Sequence, residues 1–279
     1  MGQKTQMLFS TKELRALCVN ALELSAKTLE LAGKKGITKV SAKGDLNTST
    51  RADKLISAAL CKFFKNSKLP AILYSEETGK LVLTNNPQYT VAIDDLDGTE
   101  NYRRGHGSLP FCTVVAIFDS TSPCFKDAIV AGVIEHNSGN TWIAIRGNGT
   151  YFNGNKITKM KNKKINRLTL IAVNHHGAQK NVVKLKRIHH DAWVKDFGAA
   201  AFHLAGVSSG MFDAYVSSAW QKAHELGAGY LLVKESGGAI TDLKGKPIDK
   251  VKFDFDALYS IIAASTPSLV KQIVNRIRN

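Results

Sequence analysis

The stretch Tyr89-Thr90-Val91-Ala92-Ile93-Asp94-Asp95-Leu96-Asp97-Gly98-Thr99 decides how the rest of the chain is interpreted. Its first five residues form a β-rich apolar run, which predicts a buried strand. Three aspartates then follow within four residues, and carboxylates this close repel one another unless water or cations lie among them. Gly98 permits a tight turn and Thr99 can begin a helical turn, whose backbone N–H groups suit a phosphate. The alternatives are a site for phosphate chemistry or a simple acidic turn at the end of a strand.

The composition is that of an ordinary globular protein with an excess of basic residues. The 279 residues are enough for one large domain or two. Against 23 Asp and Glu stand 38 Lys and Arg, a formal net charge of +15, which favours anionic partners such as a phosphorylated substrate or nucleic acid. The most basic run, residues 156–167, has no interleaved aromatic residues, so we interpret it as a solvated connector and do not favour a nucleic-acid partner.

Cysteine spacing and hydropathy predict a cellular compartment. None of the four cysteines is spaced as Cys-x-x-Cys, and three lie in apolar surroundings, which favours reduced thiols over zinc or disulfides. The sequence shows no apolar signal core and no run of membrane-spanning length. We therefore expect a soluble, cytoplasmic protein without a membrane partner.

Hydrophobic periodicity predicts alternating helices and strands along the whole chain. A helix begins after a Ser or Thr cap at Ser10-Thr11 and ends at Gly33, and strands 113–118, 128–134 and 140–145 form an antiparallel meander. The remaining predicted helices are 52–66, 200–209 and 222–236, with a further helix after the last strand; the remaining strands are 71–74, 81–83, 168–173, 213–216 and 261–265.

Two acidic stretches together resemble a family signature. Asp94-Asp95-Leu96-Asp97-Gly98-Thr99 resembles the pattern D-P-[IL]-D-G-[ST] of the inositol monophosphatase-like family, with Asp95 where proline is usual. Ser75-Glu76-Glu77 resembles the family's G-E-E, with Ser75 in place of glycine. The family groups inositol monophosphatases, fructose-1,6-bisphosphatases and bisphosphate nucleotidases, and the pattern here is closest to the small prokaryotic members in which two of these activities coexist.

A third stretch near the C-terminus extends the resemblance to nearly the whole chain. The family's W-D-x-A-A-G-x-L-I-V-x-E-A-G-G matches the sequence that ends at Gly238 when the two are aligned backwards from the glycine pair. This register places His224 on the tryptophan and Glu225 on the aspartate. The other register would place Trp220 and Gln221 there and would lose an acidic ligand, so we prefer Glu225.

The resemblance implies an α/β fold, a layered α/β/α/β/α sandwich. Residues 1–155 would supply a large antiparallel sheet and most of the metal ligands, and residues 156–279 would complete the site. Family members are usually homodimers or homotetramers, which we expect here as well.

The resemblance also implies a metal site and a catalytic group. One metal ion would take Glu76, Asp94 and the carbonyl of Leu96, and a second would take Asp94, Asp97 and Glu225. Because all these donors are oxygens, we expect Mg²⁺, or Mn²⁺, over zinc.

Catalysis would involve Glu76 together with Thr99 and Asp45, which would orient the attacking water. Asp45 matches the first acid of a family segment and Asp53 the second. Thr48 and Thr50 compete for that segment's threonine, although Thr48 and Ser49 would otherwise simply cap a helix.

Substrate-binding residues are the least defined part of the resemblance. Gly98 and Thr99 would hold the phosphate, and Lys195 and Ala199 would border the substrate pocket, standing where the family has arginine and Ser or Thr. A further group could contact a substrate anion or form a solvated loop: Arg103, Arg104 and His106. The histidine pairs 175–176 and 189–190 are interpreted as exposed loop residues.

The predicted function is a Mg²⁺-dependent phosphatase acting on a small phosphorylated polyol or sugar, inositol monophosphate or fructose-1,6-bisphosphate. Ser217 and Ser218 stand where family inositol phosphatases have an acid, which weakens a strict inositol assignment. The alternatives are a 3′-phosphoadenosine 5′-phosphate nucleotidase, a degenerate member that binds a phosphorylated ligand without turnover, and a nucleic-acid-binding protein that uses its net charge.

Overall fold

The fold is built from two large sheets that lie between layers of helices, together with a separate two-stranded antiparallel sheet of Lys39–Lys43 and Asn47–Thr50. A computed structural model describes residues 8–43, 47–104, 107–158, 160, 164–174, 188 and 190–278. Its helices are α1 (Thr11–Ala32), α2 (Arg51–Asn66), α3 (Thr99–Arg104), α4 (Ala200–Ser209), α5 (Ala223–Glu235) and α6 (Pro267–Arg278), with short 3₁₀ turns at Gly33–Ile37 and Phe125–Asp127.

The predicted strands are all present, with ends shifted by a few residues, and the structure adds six that the sequence did not predict: Lys39–Lys43, Asn47–Thr50, Gly149–Phe152, Asn155–Lys156, Trp193–Lys195 and Ala239–Thr241. In chain order the strands are β1 (Lys39–Lys43), β2 (Asn47–Thr50), β3 (Ala71–Ser75), β4 (Gly79–Val82), β5 (Tyr89–Asp97), β6 (Cys112–Phe118), β7 (Ala128–Glu135), β8 (Thr141–Ile145), β9 (Gly149–Phe152), β10 (Asn155–Lys156), β11 (Leu170–Asn174), β12 (Trp193–Lys195), β13 (Ala214–Lys222), β14 (Ala239–Thr241) and β15 (Leu258–Ala264).

Local capping explains where the first two helices begin. Ser10 caps α1 in a reciprocal pair with Glu13, as the Ser-Thr signal predicted. Thr50, and not Thr48 or Ser49, caps α2, because the Thr50 hydroxyl and the Asp53 carboxylate satisfy each other's backbone N–H groups. Thr50 thereby fixes the orientation of Asp53, whose side chain is buried.

The larger sheet has eight strands in the order β10-β9-β8-β7-β6-β5-β3-β4. Strands β6 to β8 form the predicted antiparallel meander, which β9 extends, whereas β3 and β5 run parallel. The smaller sheet has the order β12-β11-β13-β15-β14, with β11 parallel to both of its neighbours. Since parallel strands end at the same edge of a sheet, the residues that follow β3 and β5 lie side by side.

Five layers result, so the predicted α/β/α/β/α sandwich is confirmed. Helices α1 and α2 cover one face of the larger sheet, and α4 and α5 lie between its other face and the smaller sheet. Helix α6 covers the remaining face of the smaller sheet. Successive apolar side chains of β11 point to opposite faces of the smaller sheet: Ile171 and Val173 pack towards α6, and Ala172 packs towards α4 and α5. Both faces of this sheet are therefore apolar and are buried by helices.

The central strand β5 is longer than predicted. It was expected to end at Ile93, but it continues through Asp97, and its pairing with β6 is irregular between Asp94 and Asp97. Such an irregularity turns side chains away from strict alternation, so the three aspartates do not simply alternate between two faces. Gly98 then adopts φ +84°, a left-handed conformation that favours glycine, and α3 begins at Thr99.

Two other predictions concern the chain as a whole. Within the ranges that the structure describes, none of the helices is long and apolar enough to cross a bilayer. The division into regions 1–155 and 156–279 stays a prediction, since α5 of the second region packs directly on β5, β6, β7 and β8 of the first.

Candidate metal-binding active site

Four carboxylates meet where β3 and β5 end and α5 begins. Glu76 directly follows β3, Asp94 and Asp97 lie at the end of β5, and Glu225 lies in the first turn of α5. Ligand atoms of Asp94, Asp97 and Glu225 all lie within 4.8 Å of one another, and those three residues are buried. The packing of α5 against the larger sheet therefore brings Glu225 to the acidic strand end, as the preferred register required.

Burial of these acids without a counter-charge is energetically unfavourable. Burial first, and then the charges of Glu225 and Asp94, raise the pKa of Asp97 well above its usual value. Burial likewise raises the pKa of Glu225 to about 7, although His224 and Lys222 partly oppose the shift. Asp94 Oδ2 is buried and has no hydrogen-bond partner among the described residues. A bound cation would stabilise the ionised carboxylates of such a cluster.

Asp97 also holds the start of α4. Its Oδ1 accepts a hydrogen bond from the backbone N–H of Ala200 at 3.2 Å, and its Oδ2 accepts one from Ala201 at 2.7 Å. Ala199 stands at the N-cap position but has no side-chain acceptor. Asp97 therefore replaces the missing cap and links the strand to the second half of the chain.

Ala199 and Gly98 pack against each other beneath this link. A Cβ added to Gly98 would lie 3.1 Å from the Cβ of Ala199 and 3.0 Å from the carbonyl oxygen of Pro110. The turn at Gly98 can therefore approach the start of α4 closely, because Gly98 has no side chain and that of Ala199 is a single methyl group.

Two basic side chains, which sequence reasoning did not assign, lie against Glu76. Lys222 Nζ is 2.5 Å from Glu76 Oε1, and His224 Nε2 is 3.7 Å from Glu76 Oε2 and 3.3 Å from Asp94 Oδ2. Burial opposes ionisation of Glu76, but His224 and Lys222 outweigh it and lower its pKa. Burial also disfavours the charged form of His224, yet Asp94 and Glu76 outweigh this effect and raise its pKa to about 10.

The Thr99 hydroxyl lies between a carboxylate and a backbone carbonyl. Its Oγ1 is 3.0 Å from Asp53 Oδ1 and 2.9 Å from the oxygen of Leu96. Burial raises the pKa of Asp53 to about 6, although hydrogen bonds from Thr50 and Thr99 partly oppose the shift. Among the described residues, Asp53 is therefore the acid that contacts Thr99. Asp45, which was expected there, lies outside the described residues.

Two departures from the family pattern contact each other. Ser75 Oγ donates a hydrogen bond to Asp95 Oδ2 at 2.8 Å, and the backbone N–H of Glu77 donates to the same oxygen at 3.1 Å. Ser57 adds a hydrogen bond to Ser75 at 2.8 Å. Asp95 thus ties the end of β3 to the end of β5 and supports the position of Glu76 between them.

Other predicted residues lie further from the carboxylates. Lys195 is exposed on the edge strand β12. Arg103 and Arg104, three and four positions after Glu100 in the same short helix, both form ion pairs with its carboxylate. This pairing accounts for both arginines without a substrate. Four of the predicted residues lie outside the described part of the chain: His106, His175, His176 and His189.

Sequence reasoning missed Lys222 and His224 and gave Asp53 only a secondary place. A signal for Asp53 was present, because Thr50-Arg51-Ala52-Asp53 has the spacing of a capping box. For Lys222 and His224 the only signal was their closeness in sequence to Glu225. Their contact with Glu76 joins residues that are 146 and 148 positions apart.

The donor set fits divalent cations. Asp94, Asp97 and Glu225 offer only carboxylate oxygens, which hard cations such as Mg²⁺ prefer. Asp94 Oδ2 makes no hydrogen bond among the described residues and lies 3.3 Å from His224 Nε2, and the Leu96 carbonyl oxygen, 2.9 Å from Thr99 Oγ1, has two lone pairs. These residues can therefore hold the metal ions that the sequence predicted.

Comparison with known proteins agrees with this geometry. Residues 10–279 match the sequence profile of the inositol monophosphatase family. The chain is 29% identical over 258 residues to the chloroplastic phosphatase IMPL1 of Arabidopsis thaliana, covering 88% of this chain and 66% of that protein. It is 27% identical over 260 residues to the fructose-1,6-bisphosphatase/inositol-1-monophosphatase of Methanocaldococcus jannaschii, covering 91% of this chain and 95% of that one.

A solved structure shows the same fold. The extragenic suppressor protein SuhB of Bartonella henselae superimposes with a TM-score of 0.82 at 21% identity, covering 95% of this chain and 98% of that one. The profile match spans both sheets and every carboxylate of the site. This chain belongs to the inositol monophosphatase family.

Proposed function

We propose that this protein is a Mg²⁺- or Mn²⁺-dependent phosphatase that hydrolyses a small phosphorylated polyol or sugar, inositol monophosphate or fructose-1,6-bisphosphate. The observation that carries the proposal is the buried meeting of Asp94, Asp97 and Glu225 beside Glu76 and the Thr99–Asp53 pair. Family membership and a relative named for both activities support the reaction class and the range of substrates.

The roles of the residues follow from their positions. The four carboxylates would hold divalent cations, which supply positive charge to a phosphate and acidity to water. Thr99 Oγ1 would accept a proton from the attacking water while it donates its own proton to Asp53. The backbone N–H groups at Gly98 and Thr99 would hold phosphate oxygens. Lys195 and Ala199 stay predictions as residues that border the substrate.

One observation favours a second candidate function, the binding of a phosphorylated ligand without turnover. Lys222 already neutralises Glu76, so it competes with a cation for that carboxylate. If it prevents metal binding there, the site keeps its affinity for anions but lacks the charge needed for hydrolysis.

Phosphate release distinguishes the two candidates. The purified protein would be assayed with Mg²⁺ and with Mn²⁺ on inositol-1-phosphate, fructose-1,6-bisphosphate and 3′-phosphoadenosine 5′-phosphate, with chelator controls. Metal-dependent release from either of the first two supports the proposal, and preference for the third would make the protein a nucleotidase. If none of the three compounds releases phosphate but calorimetry detects that one of them binds, the second candidate function would be favoured. The cytoplasmic location and the homodimer or homotetramer stay predictions.

A further inference from the structure

The side chain of His224 is buried at the edge of the acidic cluster without a hydrogen-bond partner. It is 3% exposed, and neither Nδ1 nor Nε2 makes a hydrogen bond among the described residues. Its Nε2 instead lies between two carboxylate oxygens, 3.3 Å from Asp94 Oδ2 and 3.7 Å from Glu76 Oε2. The two carboxylates balance the charge of a protonated imidazole, and the same three atoms also converge as ligands of one cation would.

The spacing of these three atoms matches that of ligands on one metal ion. In an octahedral complex with bonds of about 2.1 Å, neighbouring ligand atoms are separated by about 3 Å. The separations from His224 Nε2 to Asp94 Oδ2 and Glu76 Oε2 are 3.3 Å and 3.7 Å, and all three residues offer atoms within 4.8 Å of one another. A small movement of the side chains would bring the three atoms to one cation.

The packing around His224 keeps the ring in this position. The Phe255 ring lies against the imidazole with centroids 5.2 Å apart, and Phe255 in turn stacks on Tyr74 at 5.3 Å. His224 and Glu225 are consecutive at the start of α5, so they point to neighbouring sides of the helix. Glu225 therefore faces Asp97 while His224 faces Glu76, and Asp94 belongs to both groups.

We propose that Glu76, Asp94 and His224 form a mixed nitrogen–oxygen site that binds a first-row transition metal ion, such as Mn²⁺, more tightly than Mg²⁺. The neighbouring group of Asp94, Asp97 and Glu225 has only oxygen donors and suits Mg²⁺. An imidazole ligand adds affinity for transition metals and little for Mg²⁺, which prefers carboxylates and water. The imidazole gives up its Nε2 proton to solvent when the metal ion binds, because only neutral histidine ligates. Since the metal site is part of the proposed phosphatase, this inference rests on the proposed function.

Spin-echo modulation spectroscopy of bound Mn²⁺ tests the inference without reference to activity. A coordinated imidazole gives a ¹⁴N modulation of the Mn²⁺ signal, which carboxylates and water do not. We expect this modulation in the wild-type protein and its loss in His224→Phe, which keeps a ring against Phe255. The control His190→Gln removes an exposed histidine and should keep the modulation.

Calorimetric titration with Mn²⁺ and Mg²⁺ gives a second readout. Loss of a residue that only hydrogen-bonds to a metal ligand lowers metal affinity by roughly tenfold or more. Because His224→Phe would remove a ligand itself, we expect its Mn²⁺ affinity to fall by at least that factor, with Mg²⁺ affinity little changed. His224→Gln serves as a second variant, and thermal unfolding identifies a variant that does not fold.

The outcomes separate this inference from the proposed function. Absence of ¹⁴N modulation from wild-type protein carrying bound Mn²⁺, or its persistence in both His224 variants, would overturn the inference. Phosphate release with Mg²⁺ alone would then still support the phosphatase. The reverse result, nitrogen coordination without any phosphate release, would keep the metal site and reject the phosphatase. A failure of the wild-type protein to bind Mn²⁺ at all would overturn the inference and leave the phosphatase to be decided by the Mg²⁺ assay.

Discussion

Replacement of Asp97 by asparagine separates its role in metal binding from its role as a helix cap. Asparagine keeps one oxygen for the N–H groups of Ala200 and Ala201, so one of these groups loses its acceptor, at a cost of about 1–3 kcal/mol. Removal of the charge relieves repulsion from Asp94 and Glu225, which are named causes of the raised pKa of Asp97. The two effects oppose each other, and we expect the unfolding free energy of the metal-free protein to change by no more than about 2 kcal/mol.

The Mg²⁺-dependent rise in Tm and the rate of phosphate release should change far more in Asp97→Asn. A site saturated to 100 times its dissociation constant stabilises the wild-type protein by about 2.7 kcal/mol. At about 2–4 °C per kcal/mol for a chain of this size, Mg²⁺ should raise the wild-type Tm by roughly 5–11 °C. In Asp97→Asn most of this rise should be absent, and kcat/KM for phosphate release should fall about 10³-fold or more, equivalent to about 4 kcal/mol.

The assays are thermal unfolding with and without Mg²⁺ and phosphate release, both on the purified variant. Asp242→Asn is the matched control, because Asp242 also accepts two backbone N–H groups but lies in a turn away from the cluster. The control should keep the full metal-dependent rise and the full rate. Turnover within tenfold of wild type in Asp97→Asn, or an undiminished rise in its Tm, would refute the metal assignment.

Three further predictions concern neighbours of the carboxylates. Gly98→Ala should lower the free energy of unfolding in urea by roughly 2–4 kcal/mol, from left-handed strain and contact with Pro110, whereas Gly154→Ala, at φ +80° in open space, should cost only about 1–2 kcal/mol. Because burial raises the pKa of Asp53 to about 6, protonation below that pH should remove the acceptor of the Thr99 proton, so kcat/KM should fall as pH decreases through 6; a pH profile of Asp53→Asn that kept this fall would contradict the role of Asp53. Lys222→Met should tighten Mg²⁺ binding several-fold in calorimetry by freeing Glu76 of a competing charge, and Lys54→Met, which removes an exposed lysine 4.0 Å from Glu77, should not.

Much of the fold was predictable because its signals are local. The helix cap at Ser10 and the apolar runs of the meander strands depend on neighbours within a few positions, and these predictions were confirmed. The layered architecture came from the resemblance to the family, carried by a few short motifs. The same motifs named Asp94, Asp97 and Glu225, which the structure brings together.

The rest depends on contacts between distant parts of the chain, which no local pattern specifies. Asp95 and Ser75 each looked like an isolated departure from the family, yet they form one hydrogen-bonded pair, because parallel pairing of β3 and β5 sets their ends side by side. Lys222 and His224 reach Glu76 only because α5 packs on the larger sheet. Periodicity and spacing in a sequence therefore identify elements and candidate ligands. The charges that surround each ligand are set by how sheet edges and helix ends pack, because that packing decides which side chains are removed from water together.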